Sequence, residues 1–299
     1  MANILVCGYM IRYPVAGNLL SFFHYVLGLR RLGHKVFYLE EGGWANSCYD
    51  PVNAKYSDIP EPGFGSVRHL FESHRLHDVK YAYIAHDRRR VWGGSWKEVE
   101  SCIRSADLIL NIGGVNWLDE FSEAKRLAYI DMDPLFTQSG RFGFERLANH
   151  AVHFSYGTRI GRPTCTVPTL GLEWIPLLPP VVPEIWKPGS ARASTLRHRE
   201  AFTTIASWHA YGGIEVQGEH YGQKDEEFKR YESVPSNTGA RIELATNGMP
   251  EPIRASFLRS GWRIVSAVHV SKSSKSYCAY IQRSAGEFSV AKNAYVKSR

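Results

Sequence analysis

The opening segment of the chain has an order of elements that few folds accommodate. A short apolar run at residues 3–9, NILVCGY, leads into a loop that contains Gly17. From Asn18 to Leu32 the apolar side chains recur every three or four residues, which predicts an amphipathic helix. Gly33 ends this helix, and KVFYLEE follows as a second apolar run. A strand, a helix and a strand in this order predict two parallel strands and a right-handed crossover, which begin a doubly wound α/β sheet.

Further predicted strands continue the alternation. They lie at residues 106–112, 126–130 and 151–155. In open α/β sheets ligands gather at the carboxyl ends of the strands. Residues that directly follow these strands are therefore the first candidates for a functional site.

The second half of the chain repeats the pattern after a proline-rich stretch. FTTIASW, RIELAT and WRIVSAV predict strands, while KDEEFKRY and IRASFLRS predict helices between them. The last segment, GEFSVAKNAYVKSR, shows no closing helix or strand, and the second half is too short to cover both faces of a sheet. The sequence thus predicts an α/β protein with an N-terminal domain at 1–172, an extended proline-rich linker at 173–190 and an incomplete, C-terminally truncated domain at 191–299.

The charge balance points to anionic partners. The formal net charge is +7. A positive charge suits the binding of nucleotide diphosphates or peripheral contact with an acidic membrane face. Basic residues are dispersed apart from Arg88–Arg90, and no recognisable nucleic-acid-binding motif accompanies them, so nucleic acid is not an expected partner. The arginine triplet is either a solvated loop or a phosphate or membrane contact.

Other sequence features limit the expected cellular location and the expected chemistry of the protein. The most apolar stretch, Trp174–Trp186, is broken by four prolines and is shorter than the ~20 residues of a membrane-spanning helix. The amino end resembles a strand more than a signal peptide, so we expect a cytoplasmic protein. Five scattered cysteines without a C-x-x-C pair, and no H-E-x-x-H motif, indicate neither disulfides nor a metal site.

Three segments resemble a known enzyme family. GNLLSFFHYVLGLRRLGHKVFYLEE, YGQKDEEFKRY and YIQRSAGEFSVAKNAYV are similar to segments of bacterial group 1-like glycosyltransferases of the GT-B fold. The resemblance implies two Rossmann-like domains, the first for the acceptor and the second for the donor. It also implies metal-independent sugar transfer, with a nucleotide-diphosphate sugar as co-substrate and no further cofactor. The chain departs from the family pattern after Arg299, where the second acidic residue of the donor motif is absent.

By this resemblance the donor site comprises Lys224, Gly286 and Glu287. Lys224, at a predicted helix start, would neutralise the leaving diphosphate, with Arg254 and Arg263 as alternatives. Glu287 resembles the first residue of a paired-glutamate motif that accepts hydrogen bonds from sugar hydroxyls, and Gly286 would let the backbone approach closely. Each of these positions can also be interpreted as an ordinary solvated one.

Candidates for the acceptor side follow the predicted strands of the first domain. Asp131 and Asp133 could act as a general base or orient the acceptor, although Asp133 precedes a proline and also suits a turn. His24, on the polar side of the first helix, is a third candidate base. Gly17 and Asn18 form a cleft loop whose amides could meet a phosphate, or Asn18 could simply cap the helix.

Two other functions remain open on the sequence. A sugar-nucleotide epimerase has the same two-domain fold, and the chain could instead be a non-catalytic fragment that binds nucleotide. The sequence has no G-x-G-x-x-G, Walker or G-x-S-x-G motif. It is therefore not expected to be a dinucleotide-binding enzyme, a P-loop enzyme or a serine hydrolase, respectively.

Overall fold

The computed structural model describes residues 1–141, 144–187 and 201–298. The chain divides into two compact units, Met1–Val182 (unit 1) and Pro183–Arg299 (unit 2). Within the described ranges, no helix has both the length and the apolar character needed to cross a membrane.

Unit 1 contains a large sheet flanked by helices. Its strands are β1 (Asn3–Cys7), β2 (Lys35–Glu41), β3 (Cys48–Asp50), β4 (Lys55–Ser57), β5 (Lys80–Ile84), β6 (Val91–Trp92), β7 (Leu108–Ile112), β8 (Leu127–Asp131), β9 (Val152–Ser155) and β10 (Trp174–Pro176). Its helices are α1 (Ala16–Arg31), α2 (Glu61–Ser73), α3 (Trp96–Ser105) and α4 (Phe144–Ala148).

The large sheet of unit 1 is parallel except at one edge. In the part of the chain that the structure describes, eight strands pair in the order β10-β9-β8-β7-β1-β2-β5-β6, and only β6 runs antiparallel to its neighbour. The predicted strands at 106–112, 126–130 and 151–155 are confirmed as β7, β8 and β9. The chain leaves β1 toward β2 and later returns to its other side at β7, so the topological switch point lies between β1 and β7.

Helix α1 differs from its prediction in the side that it buries. It begins at Ala16 rather than at Asn18, and most of its first three turns is buried, including His24 at 5% exposure. The predicted polar side is therefore wrong at His24, because the Val182 backbone packs there and donates a hydrogen bond to the imidazole. Apolar periodicity located the helix correctly but could not show that both of its sides are covered.

The proline-rich stretch forms regular elements where an extended linker was predicted. Strand β10 pairs with β9 in parallel, and Pro183–Trp186 form a 3-10 helix. Prolines are tolerated in both places because β10 lies at the edge of the sheet and a 3-10 turn begins readily with proline. The linker residues from 188 to 190 lie outside the described ranges.

Unit 2 has a smaller sheet of its own. Its strands are β11 (Phe202–Ser207), β12 (Ile214–Val216), β13 (Glu219–Tyr221), β14 (Ile242–Asn247), β15 (Arg263–Ser266) and β16 (Gly286–Glu287). Its helices are α5 (Lys224–Phe228), α6 (Val234–Thr238), α7 (Glu251–Arg259), α8 (Ala267–Ser271), α9 (Ser274–Gln282) and α10 (Asn293–Ser298). Strands β15-β14-β11-β16 form a parallel four-stranded sheet among the described residues. Its core includes the buried side chains of Trp208, Phe228, Leu244, Phe257 and Trp262.

The last segment is more regular than the sequence indicates. It contains β16 and α10, whereas neither a strand nor a helix was predicted there. Phe288 donates a backbone hydrogen bond to Thr203 of β11, which adds β16 to the sheet. At the start of α10, the buried Asn293 amide accepts from the Gly222 backbone and donates to Glu227. Such long-range contacts have no local signal in the sequence.

Candidate functional site

The carboxyl edge of the unit 1 sheet is organised around a buried asparagine beside the switch point. Asn116 donates to the carbonyl of Gly8, 3.0 Å away, and accepts from the backbone N–H of Glu41 at 2.8 Å. One side chain thus connects the loops that follow β1, β2 and β7. The Glu41 carboxylate in turn accepts the backbone N–H of Trp117. These contacts hold in place the segments that would surround a ligand at this edge of the sheet.

A buried charge pair lies in the same region. Arg12 and Glu40 are both fully buried, and Nε of Arg12 is 3.5 Å from Oε1 of Glu40. Glu40 also accepts the backbone N–H groups of Ile11 and Arg12 and the hydroxyl of Tyr38, at 2.6–2.7 Å. Arg12 donates through Nη2 to the carbonyl of Val115 at 3.1 Å. The β1–α1 loop is thereby bound to the end of β2.

Burial dominates the protonation of Glu40. Desolvation raises the pKa of this carboxyl, and the neighbouring Arg12 and the hydrogen bonds to its oxygens act in the opposite direction. The Glu40 carboxylate and the Arg12 guanidinium therefore lie at the carboxyl edge of the sheet, where ligands of such sheets bind.

The candidate base Asp131 is enclosed by hydrogen bonds at the end of β8. Its oxygens accept from Thr137 at 2.7 Å, Gln138 at 2.9 Å, Ser155 at 2.6 Å and the backbone N–H of Asp133 at 2.9 Å. Burial raises its pKa, and these hydrogen bonds oppose that shift. A fully buried carboxylate has no exposed oxygen for an acceptor hydroxyl. The structure therefore argues against the predicted role as a base, while the half-buried Asp133 stays a candidate.

His24 is also engaged in packing. Its Nδ1 accepts the backbone N–H of Val182 at 3.0 Å. Burial lowers its pKa, so the neutral imidazole is favoured. A ring enclosed by its own unit is poorly placed to take a proton from a substrate, which argues against His24 as the base.

The predicted loop residues Gly17 and Asn18 lie inside the first turn of α1. Asn18 donates its side-chain amide to the carbonyls of Tyr9 at 2.6 Å and Tyr13 at 2.8 Å. Val15, not Asn18, is the residue that precedes the helix. The side-chain amide of Asn18 thus holds the β1–α1 loop in place, and the phosphate contact proposed for this pair stays a prediction.

Unit 2 brings Lys224 close to a second lysine. Lys224 is the first residue of α5, whose start is fixed to the end of β11 by a hydrogen bond from the Asp225 backbone to Trp208. Burial lowers the pKa of Lys224, the nearby Glu287 raises it, and the nearby Lys292 lowers it. Lys224 therefore lies within the electrostatic influence of a second ammonium group and of one carboxylate.

Lys292 is held by aromatic side chains. Its Nζ donates to the hydroxyl of Tyr211 at 2.6 Å and lies 4.7 Å from the centre of that ring. The ring of Tyr295 is 5.3 Å away on another side. Contacts of this type restrict a long cationic side chain, which helps it to act as a positioned charge.

Glu287 and Gly286 lie beside the amino end of β11. Gly286 pairs with Phe202 and Glu287 with Thr203, the first two residues of β11, whereas Ser207 ends that strand. A Cβ at Gly286 would be 3.1 Å from the Phe202 ring, so its small size serves packing in unit 2. Glu287 is exposed and acts on Lys224 through charge. Donor binding by these two residues stays a prediction.

The arginine triplet has partners within unit 1. Arg88 lies 3.4 Å from Glu120, Arg89 lies 3.8 Å from Asp87, and the Arg90 guanidinium lies 4.3 Å from the centre of the Trp92 ring. These contacts favour the interpretation as a surface loop.

Sequence analysis missed Arg12, Asn116 and Lys292. Arg12 did leave a signal, because it is the only Asp, Glu, Lys or Arg between Asn3 and Leu29. Asn116 and Lys292 acquire their roles through long-range contacts, and nothing local distinguishes them. Metal independence stays a prediction, although no described residues form a cluster of three or more His, Cys, Asp or Glu that could hold a metal ion.

Comparison with known proteins shows a likeness of fold. No family model matches the chain, and no curated protein matches its sequence significantly. Among solved structures it is similar to an alpha-glucosyltransferase in complex with UDP and a 13-mer DNA containing a central A:G mismatch, with a TM-score of 0.51 and 9% identity over 97% of this chain and 71% of that chain. A glycosyltransferase from Rickettsia africae ESF-5 aligns with a TM-score of 0.48 and 8% identity over 94% of this chain and 70% of that chain.

The first of these likenesses extends over nearly the whole chain. It supports the predicted mixed α/β architecture with a large, mainly parallel sheet, as in a Rossmann-like glycosyltransferase fold. At 9% identity it concerns the fold alone.

Proposed function

We propose that this protein is a glycosyltransferase that uses a nucleoside-diphosphate sugar as donor. The observation that carries the proposal is the match of 97% of the chain to a glucosyltransferase fold, since that enzyme was solved with UDP. Function does not follow from fold, so the residues of each unit must supply the chemistry.

Unit 2 offers the charge that a diphosphate requires. Lys292 is close enough to Lys224 to lower the pKa of that ammonium group, and Tyr211 restrains Lys292. Developing negative charge on a leaving diphosphate is stabilised by positioned cations, which can substitute for a metal ion. The burial of Lys224 strengthens its interaction with an anion, because the local dielectric is lower than in water.

In this proposal unit 1 binds the acceptor and unit 2 binds the donor, as in GT-B enzymes. Asp133 is the remaining candidate among the predicted bases, as it directly follows the end of β8 and is half-buried. The domain limits at 1–172 and 191–299, with a linker at 173–190, belong to the same proposal.

Nucleic acid returns as an acceptor class to be tested. The similar alpha-glucosyltransferase was solved with DNA as well as UDP. The sequence-based expectation of no nucleic-acid partner therefore has no support from this likeness. Cytoplasmic location and contact with a membrane face stay predictions.

Calorimetry with UDP and GDP tests the donor proposal directly. We expect saturable binding of at least one of them by the folded chain, followed by release of the nucleoside diphosphate from the matching sugar nucleotide when acceptors are supplied. A folded chain that binds neither nucleotide would contradict the proposal. Conversion of the donor sugar into its epimer, without transfer, would instead favour the epimerase alternative.

A further inference from the structure

Arg12 carries hydrogen-bond donors that the described part of unit 1 does not use. Its side chain is fully buried, and neither Nη1 nor Nε has a hydrogen-bond partner among the described residues, whereas Nη2 donates to Val115. Buried guanidinium nitrogens nearly always find an acceptor, because an unpaired buried donor loses its hydrogen bonds to water without compensation. A spare donor at this depth, beside the switch point of the sheet, indicates a ligand-binding position.

Glu40 leaves that donor available. The carboxylate already accepts three hydrogen bonds, from the backbones of Ile11 and Arg12 and from Tyr38. Its approach to Arg12 is through Nε at 3.5 Å, not through Nη1. The guanidinium therefore keeps one free side for a second anionic group, which would form a charge-assisted hydrogen bond.

Gly43 lies next to Nη1. A Cβ built on Gly43 would lie 2.9 Å from this atom, and Gly43 itself is exposed to solvent. A side chain at residue 43 would thus crowd Nη1. Gly42, by contrast, is anchored: its N–H donates to Ile84, and a Cβ there would meet the Tyr83 hydroxyl.

Aromatic rings border the guanidinium on two sides. Its Cζ is 4.5 Å from the centre of the Tyr9 ring and 5.2 Å from that of Trp44. Trp44 is 59% exposed although it is large and apolar, so it can shift with little loss of buried surface. Tyr9 stacks on Tyr13 at 6.0 Å, which continues the aromatic surface. The exposed Trp44 ring beside these half-buried tyrosines suits the apolar face of a sugar ring.

We propose that Arg12 binds an anionic group, a phosphate or a carboxylate, on the sugar acceptor, with Nη1 as the donor and Trp44 as a cover that shifts when the ligand enters. The naming of an acceptor rests on the proposed transferase function, whereas the anion site itself rests on Arg12 alone. The acceptor is then an acidic or phosphorylated saccharide rather than a neutral one.

Tryptophan fluorescence of the full chain tests the site without any donor. Titrations use inorganic phosphate, glucose 6-phosphate, glucuronate and glucose at constant ionic strength. We expect a saturable change with phosphate and with at least one of the two acidic sugars, and none with glucose. A stronger response to glucose 6-phosphate or to glucuronate identifies phosphate or carboxylate as the group recognised. Trp44→Phe should abolish the change, because Trp44 is the ring beside Arg12.

Gly43→Ala blocks the site without removing Arg12. The added methyl group would occupy the space next to Nη1, so the anion affinity should fall at least tenfold. Gly65→Ala is the matched control, since residue 65 is exposed and a Cβ there has open space around it. Circular dichroism shows whether each variant is folded.

Three results would overturn the proposal. They are no anion response by the folded wild-type chain, an undiminished response in Gly43→Ala, and equal responses to glucose and to the acidic sugars. In the first case water alone satisfies Nη1. Because no nucleotide is present, a failure of the transferase proposal leaves this readout unchanged, and the nucleotide-binding experiment is equally independent of Arg12.

Discussion

Ser155 donates its hydroxyl to Asp131 across 2.6 Å, joining the carboxyl ends of two adjacent strands. Asp131 ends β8 and Ser155 ends β9, and the serine oxygen also accepts the backbone N–H of Gly157. Asp131, which the sequence predicts as a candidate base, thus connects the carboxyl ends of β8 and β9. Strand-end position alone does not distinguish the two roles, because both require a polar side chain at the same place.

Replacement of Asp131 by asparagine should destabilise unit 1. The new amide nitrogen would face Gln138 or the Asp133 backbone, which are both donors to the present carboxylate. A lost hydrogen bond with an unsatisfied buried partner costs about 1–3 kcal/mol in the free energy of unfolding. Urea denaturation monitored by circular dichroism measures this loss. Wild-type stability in Asp131→Asn would contradict the structural role, and Asp119→Asn, at an exposed carboxylate, is the control.

Acid should weaken unit 1 through His150. Burial lowers the pKa of His150 from 6.5 to about 4. Its ring lies 3.0 Å from the Arg146 carbonyl and 3.1 Å from the Asn111 amide, contacts that suit a neutral imidazole. Between these two pKa values the unfolded chain binds a proton that the folded chain does not. Stability is therefore present above pH 6.5 and falls by about 1.4 kcal/mol per pH unit toward pH 4.

Urea denaturation between pH 7 and pH 4 checks this effect in the wild type and in His150→Gln. The variant has no group that titrates in this range at residue 150, so its stability should depend less steeply on pH. Parallel pH profiles for the two proteins would contradict the assignment. His69→Gln, at an exposed position on α2, is the control and should leave the profile unchanged.

Two glycines of α2 should respond oppositely to alanine. A Cβ at Gly63 would meet the carbonyl of Ile11, and Ile11 also supplies an N–H to Glu40. Gly63→Ala must displace this loop, which we expect to cost more than 1 kcal/mol. Gly65→Ala meets open space and should gain about 0.4–1 kcal/mol from reduced chain entropy. The free energies of unfolding in urea decide the point, and equal effects at both positions would refute the close contact with Ile11.

The sequence predicts the order of elements well and the functions of single residues poorly. Apolar periodicity located α1 and the strands β7 to β9, since each depends on its local pattern. Periodicity cannot show that Val182 returns to cover His24, or that Ser155, at the end of β9, binds Asp131. These are contacts between distant segments, so only the folded chain reveals them.

The candidate sites show the same limit. Lys224 was identified from its position after a strand, and the structure adds Lys292 beside it, from a segment 68 residues further along the chain. Arg12 stood out only as an isolated charge, and its surroundings depend on Glu40 in β2 and on Gly43 in the loop that follows. Strand-end positions thus indicate a candidate edge, while the side chains that come together there depend on how several segments meet.

Nucleotide binding should depend on the two lysines of unit 2 more than on Glu287. Lys224→Ala and Lys292→Ala should each weaken UDP or GDP binding at least about tenfold, because a hydrogen bond to a charged group contributes about 1.5–3 kcal/mol. Lys275→Ala, which removes an exposed lysine of α9, is the matched control. Glu287→Gln should leave nucleotide affinity within about threefold, since a carboxylate supplies no attraction for a diphosphate. It should slow sugar transfer, because the contact proposed between Glu287 and the donor sugar is weakened. Calorimetry measures the first effect and initial transfer rates measure the second. Full nucleotide affinity in Lys224→Ala would show that the phosphates bind elsewhere.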